Sequence, residues 1–135
     1  VSTEQAARAD AQVEVLTLDV GGDLTELARV RAWARKELGD LAEDDLMDTI
    51  LVLDELVSNA LRHGKPPQQV RLLRRPGRLR IEVDDSGKTP AVPRRSSVNG
   101  GRGLALIEAC SVAWGQDHRD DGKTVWAELG YGRDA

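Results

Sequence analysis

Glu55-Leu56-Val57-Ser58-Asn59-Ala60, then Val83-Asp84-Asp85-Ser86-Gly87, then Gly100-Gly101-Arg102-Gly103-Leu104: these three segments, in this order, decide how the chain is read. On a helix, Glu55 and Asn59 are four residues apart and share a face, with Asp48 and Arg62 on roughly the same side. Asn is a poor helix-interior residue. Apolar Leu51, Val52 and Leu56 flank the polar strip, as they would flank a cleft, although a solvated face is the commoner fate of such residues. An acid and an amide one turn apart can hold a metal ion and activate a nucleophile. Asp85 follows the apparent strand Leu79-Arg80-Ile81-Glu82-Val83, where a carboxylate can accept a hydrogen bond from the exocyclic amine of a base. Gly87 would let the chain approach a flat ring, while a plain Asp-Ser-Gly turn is the competing reading. Gly101 and Gly103 precede a periodic helix, whose free N–H groups attract phosphate; an ordinary loop-to-helix junction would use the same residues.

Outward from these segments, Val13, Val15, Leu16, Leu18 and Val20 predict a strand. Asp23 is placed to N-cap a helix carrying Leu24, Leu27, Ala28, Val30, Ala34 and Leu38, and Gly39 ends it. A second helix opens near Ala42 or Glu43 with acids in its first turn. Leu46, Ile50, Leu53, Val57 and Ala60 give it one apolar stripe, and His63-Gly64-Lys65-Pro66-Pro67 ends it. Val70 to Leu73 and Leu79 to Val83 predict a hairpin turning at Arg74-Arg75-Pro76-Gly77. Ser86 to Gly100 is a long loop of the kind that serves as a lid. A third helix spans Leu104 to Val112. Two closing strands, Val112 to Gln116 and Lys123 to Leu129, flank a turn at Asp117 to Gly122. Strands and helices do not alternate strictly, so the expected fold class is α+β: a two-layer α/β sandwich with a mixed, mostly antiparallel sheet and helices on one face.

The chain has 135 residues, enough for one domain: a loose lead-in over residues 1–11 and a single domain over 12–135. A net charge of −4 argues against nonspecific binding to nucleic acid or an anionic membrane. No apolar run approaches the ~20 residues needed to cross a bilayer. One cysteine, Cys110, suits a reducing cytoplasm and reads as a small core residue rather than a nucleophile. Phe is absent, so Leu, Val, Ile and Ala must form the core, with Trp33, Trp114 and Trp126 as its large pieces. The first residue is not Met, which fits trimming from a longer protein. Gly122-Lys123-Thr124 is not a P-loop end, because Asp117 stands where that motif wants Gly, and Leu106 breaks a dinucleotide fingerprint starting at Gly101. His63 and His118 are too few for a metal cluster. Arg94, Arg95 and Arg102 are either solubilising charge or phosphate contacts.

Taken in order, these segments resemble the GHKL superfamily, the nucleotide-binding fold of gyrase, heat-shock ATPases, histidine kinases and mismatch-repair proteins. Glu55-x-x-x-Asn59 resembles its N-box, Val83-x-Asp85-x-Gly87 its first glycine box, Gly101-x-Gly103 its second, and Gly122-Lys123-Thr124-Val125-Trp126 its closing strand. The short chain and Gly-Gly-Arg-Gly-Leu are most similar to bacterial anti-sigma-factor serine/threonine kinases. The resemblance implies ATP and Mg²⁺, with Asn59 on the metal that bridges the phosphates and Glu55 as general base toward a substrate serine. It implies that Asp85 binds the adenine amine with Thr124 assisting, and that Gly87, Gly101 and Gly103 shape a lid. Arg62, His63 and Arg102 would contact phosphate. The implied partners are an anti-anti-sigma protein of the STAS type, a sigma factor and a second copy in a homodimer, in the cytoplasm. Lys88 stands near where many relatives carry another glycine, which leaves a second expectation open: a non-catalytic, nucleotide-dependent binding module, or a piece of a larger phosphatase or sensor protein.

Overall fold

The structure is a computed structural model describing residues 13–87 and 101–131, with the backbone alone described at 101–104. Strand β1 (Glu14–Val20) leads into helix α1 (Glu26–Glu37) and the long helix α2 (Glu43–His63). Strands β2 (Gln68–Arg75) and β3 (Arg78–Asp85) form the expected hairpin. Helix α3 (Gly101–Cys110) and strands β4 (Ala113–Arg119) and β5 (Gly122–Gly130) follow. The expected lead-in over residues 1–11, and the lid beyond Gly87 with Lys88, Arg94 and Arg95, lie outside the described residues.

The five strands make one sheet in the order β1-β2-β3-β5-β4, and every pairing is antiparallel. The mixed sheet expected from the sequence thus resolves to its antiparallel extreme. Its cause is a period-two pattern that leaves only one apolar face. On β3, Leu79, Ile81 and Val83 are buried, while Arg80, Glu82 and Asp84 point the other way. On β5, Val125, Ala127 and Leu129 continue that buried face. Helix α2 covers it, packing on β3 and β5 with α1 and α3 on its flanks. Ile50, Val52, Leu53, Leu56, Val57 and Ala60 of α2 enter the same apolar cluster as Val30, Ala34 and Leu38 of the α1 region and Ile107 of α3.

The opposite sheet face is polar and paired. Arg71 bridges Glu82 and Asp84, and Arg80 bridges Glu82 and Glu128. The Arg80 guanidinium lies 4.1 Å from the centre of the Trp126 ring. Trp126 is therefore not a core piece. Its even-numbered place on β5 turns it to the charged face, whereas Trp33 and Trp114 pack against the apolar cluster.

Three boundaries move. Asp23 does not N-cap α1: its carboxylate accepts the Thr25 amide at 3.1 Å and its carbonyl accepts the Glu26 amide, a local turn that delays the helix. Helix α3 begins at Gly101, so Gly101 and Gly103 lie within its first turn rather than before it. The last turn is tighter than expected, because Asp117 to Arg119 pair with Thr124 to Gly122 and extend β4.

That last turn depends on Gly122. Its φ is +150°, and a Cβ there would lie 2.1 Å from the Asp85 carbonyl oxygen. Gly122→Ala is expected to destabilise the fold by more than about 1 kcal/mol, read as a lowered urea midpoint at unchanged slope.

Candidate functional site

Glu55 and Asn59 sit on α2 at the border between its buried and exposed faces, and both are half-buried. Val52 and Leu56 beside them are buried, whereas Leu51 is exposed, so the polar strip has an apolar wall on one side only. Among the described residues, neither the Glu55 nor the Asn59 side chain has a hydrogen-bond or ion-pair partner. Two unpaired polar side chains one turn apart remain available to a ligand. Arg62 and His63, in the last turn, are exposed.

Asp85 ends β3 and is brought to the C-terminal end of α2. The Ser86 amide donates to the Lys65 carbonyl at 2.9 Å, and the Ser86 hydroxyl donates to the Pro67 carbonyl at 3.3 Å. The Asp85 carboxylate then lies against Gly64, the residue that closes α2. A Cβ at position 64 would fall 2.6 Å from the Asp85 Cγ and 2.7 Å from the Ala60 carbonyl, so only glycine permits this approach. Gly87 folds back so that its amide donates to Asp85 Oδ1 at 2.6 Å. The sequence reads Gly64 only as a helix stop. Its second duty, admitting a carboxylate from another element, leaves no mark beyond the glycine itself.

Thr124 is not on the Asp85 face. Cross-strand pairing sets Asp85 opposite Lys123 and Asp84 opposite Thr124. The Thr124 hydroxyl accordingly donates to Asp84 and accepts from Arg119 on the charged face. Lys123 takes the place expected for Thr124: its Nζ donates to Asp85 Oδ2 at 2.9 Å, with the two side chains 5% and 1% exposed. The signal was present in β5, where Val125, Ala127 and Leu129 are the apolar members and odd numbering assigns position 123 to their face. Gln68 continues the same row on β2, since its neighbour Gln69 pairs with Asp84. It is buried, its Nε2 donates to the Ala60 carbonyl at 2.6 Å, and among the described residues its Oε1 has no partner. Gln68, Asp85 and Lys123 thus form a buried polar row at one end of an otherwise apolar face. A cleft of about 470 Å³ opens beside this row and is also lined by Asp19, Asp84, Ser86 and Arg119.

Helix α3, with Gly101, Arg102 and Gly103 in its first turn, packs on α2. Cys110 at its other end is half-buried, and burial, with the charge of Asp48, pushes its thiol up, away from nucleophile chemistry. Among the described residues no three His, Cys, Asp or Glu side chains converge as a metal site, and no helix is long and apolar enough to cross a membrane.

Residues 21–129 match the family model of the histidine kinase-like ATPase domain. No curated protein matches the chain. Among solved structures, the RsbU and RsbW domains of Rv1364c from Mycobacterium tuberculosis align with a TM-score of 0.70 at 23% identity, over 90% of this chain and 34% of that one. The histidine kinase domain of the blue-light activated kinase from Erythrobacter litoralis EL346 aligns with a TM-score of 0.53 at 18% identity, over 79% of this chain and 60% of that one. The chain therefore spans about a third of the first structure and under two thirds of the second. At these identities the alignments show a shared fold.

The charged face beside the site makes stability depend on acid. Burial tends to raise the Asp84 carboxyl, but hydrogen bonds from Arg71 and Thr124, with the charges of Arg71 and Arg119, hold it below its ordinary range. A depressed folded-state value means that the stabilisation is complete above the unfolded value of about 3.9 and is lost as pH falls through the folded one. Urea midpoints are expected to fall as pH drops below about 4, and Asp84→Asn should flatten that part of the profile.

Proposed function

Because the chain belongs to the histidine kinase-like ATPase domain family, we propose that it binds Mg-ATP and transfers the terminal phosphoryl group to a serine or threonine of an anti-anti-sigma partner of the STAS type. The observation that carries this reading is the pair Glu55 and Asn59: half-buried, without a side-chain partner among the described residues, one turn apart, on the helix whose end receives Asp85. The donor set suits an adenine. Glycines 64 and 87 admit the Asp85 carboxylate to the end of α2, and among the described residues Gln68 Oε1 is a buried acceptor without a donor.

Bound ATP would supply the phosphoryl group and leave as ADP, and Mg²⁺ would neutralise charge on the phosphates. The Asn59 amide oxygen is a hard ligand suited to that ion. The Glu55 carboxylate would accept the proton of the partner's serine hydroxyl, which makes that oxygen the nucleophile. Asp85 accepts a hydrogen bond from the adenine amine. The N-terminal turn of α3, with Gly101, Arg102 and Gly103, would offer its free amides to phosphate. Arg62 and His63 add positive charge at the last turn of α2. Thr124 has no part in base binding on this reading. Sequestration of a sigma factor by another surface, a homodimer and a cytoplasmic setting complete the proposal.

A regulatory module that binds nucleotide without phosphoryl transfer is the second reading, favoured by Lys123 on Asp85.

Glu55→Gln should lower the rate of partner phosphorylation by roughly 10²–10⁴-fold, the usual contribution of a general base, while ATP affinity stays within about threefold. Labelled Mg-ATP with the STAS-type partner measures the first, and calorimetry the second. Unimpaired transfer in the variant removes Glu55 from the mechanism. A wild type that binds ATP but labels no partner selects the module.

A further inference from the structure

The proposed reading gives Asp85 to the base, yet in this fold Asp85 already has a partner. Its Oδ1 accepts the Gly87 amide at 2.6 Å, and its Oδ2 accepts Lys123 Nζ at 2.9 Å. Oδ2 also faces Gly64, where a Cβ would sit 2.7 Å away. The Lys123 and Asp85 side chains are 5% and 1% exposed, so the pair is closed to water. We infer that Lys123 is a tethered competitor for the base site: its ammonium holds the base-reading carboxylate in the nucleotide-free fold, and an adenine nucleotide binds by displacing it. This inference rests on the reading of Asp85 as the base-binding group.

The energetics follow from donor strength. An ammonium is a charge-assisted donor to a carboxylate, roughly twice as strong as a neutral amine. The exocyclic amine of adenine cannot take Oδ2 on equal terms while the ammonium stays. Nor can the ammonium remain buried without a partner, because an uncompensated buried charge is strongly unfavourable. Binding is therefore coupled to the four-carbon Lys123 stem swinging its head out of the row. The neighbouring acceptor, Gln68 Oε1, gives the incoming amine what it needs in return. It is buried and unpartnered in the row that holds Asp85 and Lys123, and an exocyclic amine carries two N–H groups, one for each acceptor. The exchange replaces one buried donor with a ligand that satisfies two buried acceptors.

A purely electrostatic role predicts the opposite sign. A lysine acting only as positive charge would attract the polyphosphate, and its removal would weaken binding. A purely structural role predicts loss of stability together with unchanged or weaker affinity.

Calorimetric titration of ADP and ATP, with Mg²⁺, into the full chain and its Lys123→Met, Lys123→Thr and Asp85→Ala variants separates these cases. Met keeps the length of the stem, and Thr removes most of it. Both Lys123 variants are expected to bind ADP and ATP about tenfold or more tighter than wild type, the scale of one charge-assisted hydrogen bond, although they melt at lower temperature without nucleotide. Lys123 variants that fold and bind no tighter than wild type overturn the inference. Asp85→Ala keeps the two failures apart. If it loses binding while the Lys123 variants gain nothing, the base site stands and the competitor falls. If it binds as wild type does, the base site falls as well.

Amine acetylation read by mass spectrometry supplies a measurement on the wild type that does not depend on the variants folding. Lys123 is expected to label slowly without nucleotide and faster with saturating ADP. Labelling that ADP slows or leaves unchanged overturns the displacement.

Discussion

The hydrogen bond from the Ser86 amide to the Lys65 carbonyl is the constraint on which the site depends. It ties the end of β3 to the chain just leaving α2. The helix and the strand already pack through the core, and this bond adds the tie at their ends. With it, Asp85 is pressed against Gly64 and the Ala60 turn, and the helix that covers the sheet also ends at the strand that would read a base. Both sides of the contact must be small. Gly64 gives up its Cβ to the carboxylate, and Gly87 gives up its own so that its amide can turn back onto Oδ1. Gly122 completes the arrangement from the third side, where its backbone packs against the Asp85 carbonyl.

The buried polar row follows from that constraint. Asp85 occupies the last inward position of β3, in line with Leu79, Ile81 and Val83, so the apolar face of the sheet ends in a charge. A buried carboxylate needs compensation, and the fold supplies it from β5 through Lys123 and from its own turn through Gly87. The chain therefore spends stability-determining interactions on the group that a ligand would use. On the proposed reading, folding and binding would draw on the same oxygen atoms, which would set the affinity of the site against the integrity of the nucleotide-free state. The charged outer face has no such conflict. Its arginines and acids pair with one another across β2, β3 and β5, and they close a ladder that Thr124 joins.

The sequence by itself determined the α+β class, the helix bearing Glu55 and Asn59, the β2–β3 hairpin and the inward place of Asp85, because each follows from a local period of the chain. The apolar spacing of Leu46 to Ala60 fixes one helix face, and strict alternation from Leu79 to Asp85 fixes one sheet face. Only the tertiary structure decided who meets Asp85. Register between β3 and β5 is a nonlocal property, and a shift of one residue exchanges every side chain between faces. The pairing of Asp85 with Lys123 rather than Thr124 sends the threonine to the charged surface and puts an ammonium where a hydroxyl was expected. Trp126 leaves the core for a local reason, its even place in the alternation of β5, whereas Gly64 owes its second role to a nonlocal contact, since an approaching carboxylate does not write itself into the residue it will touch.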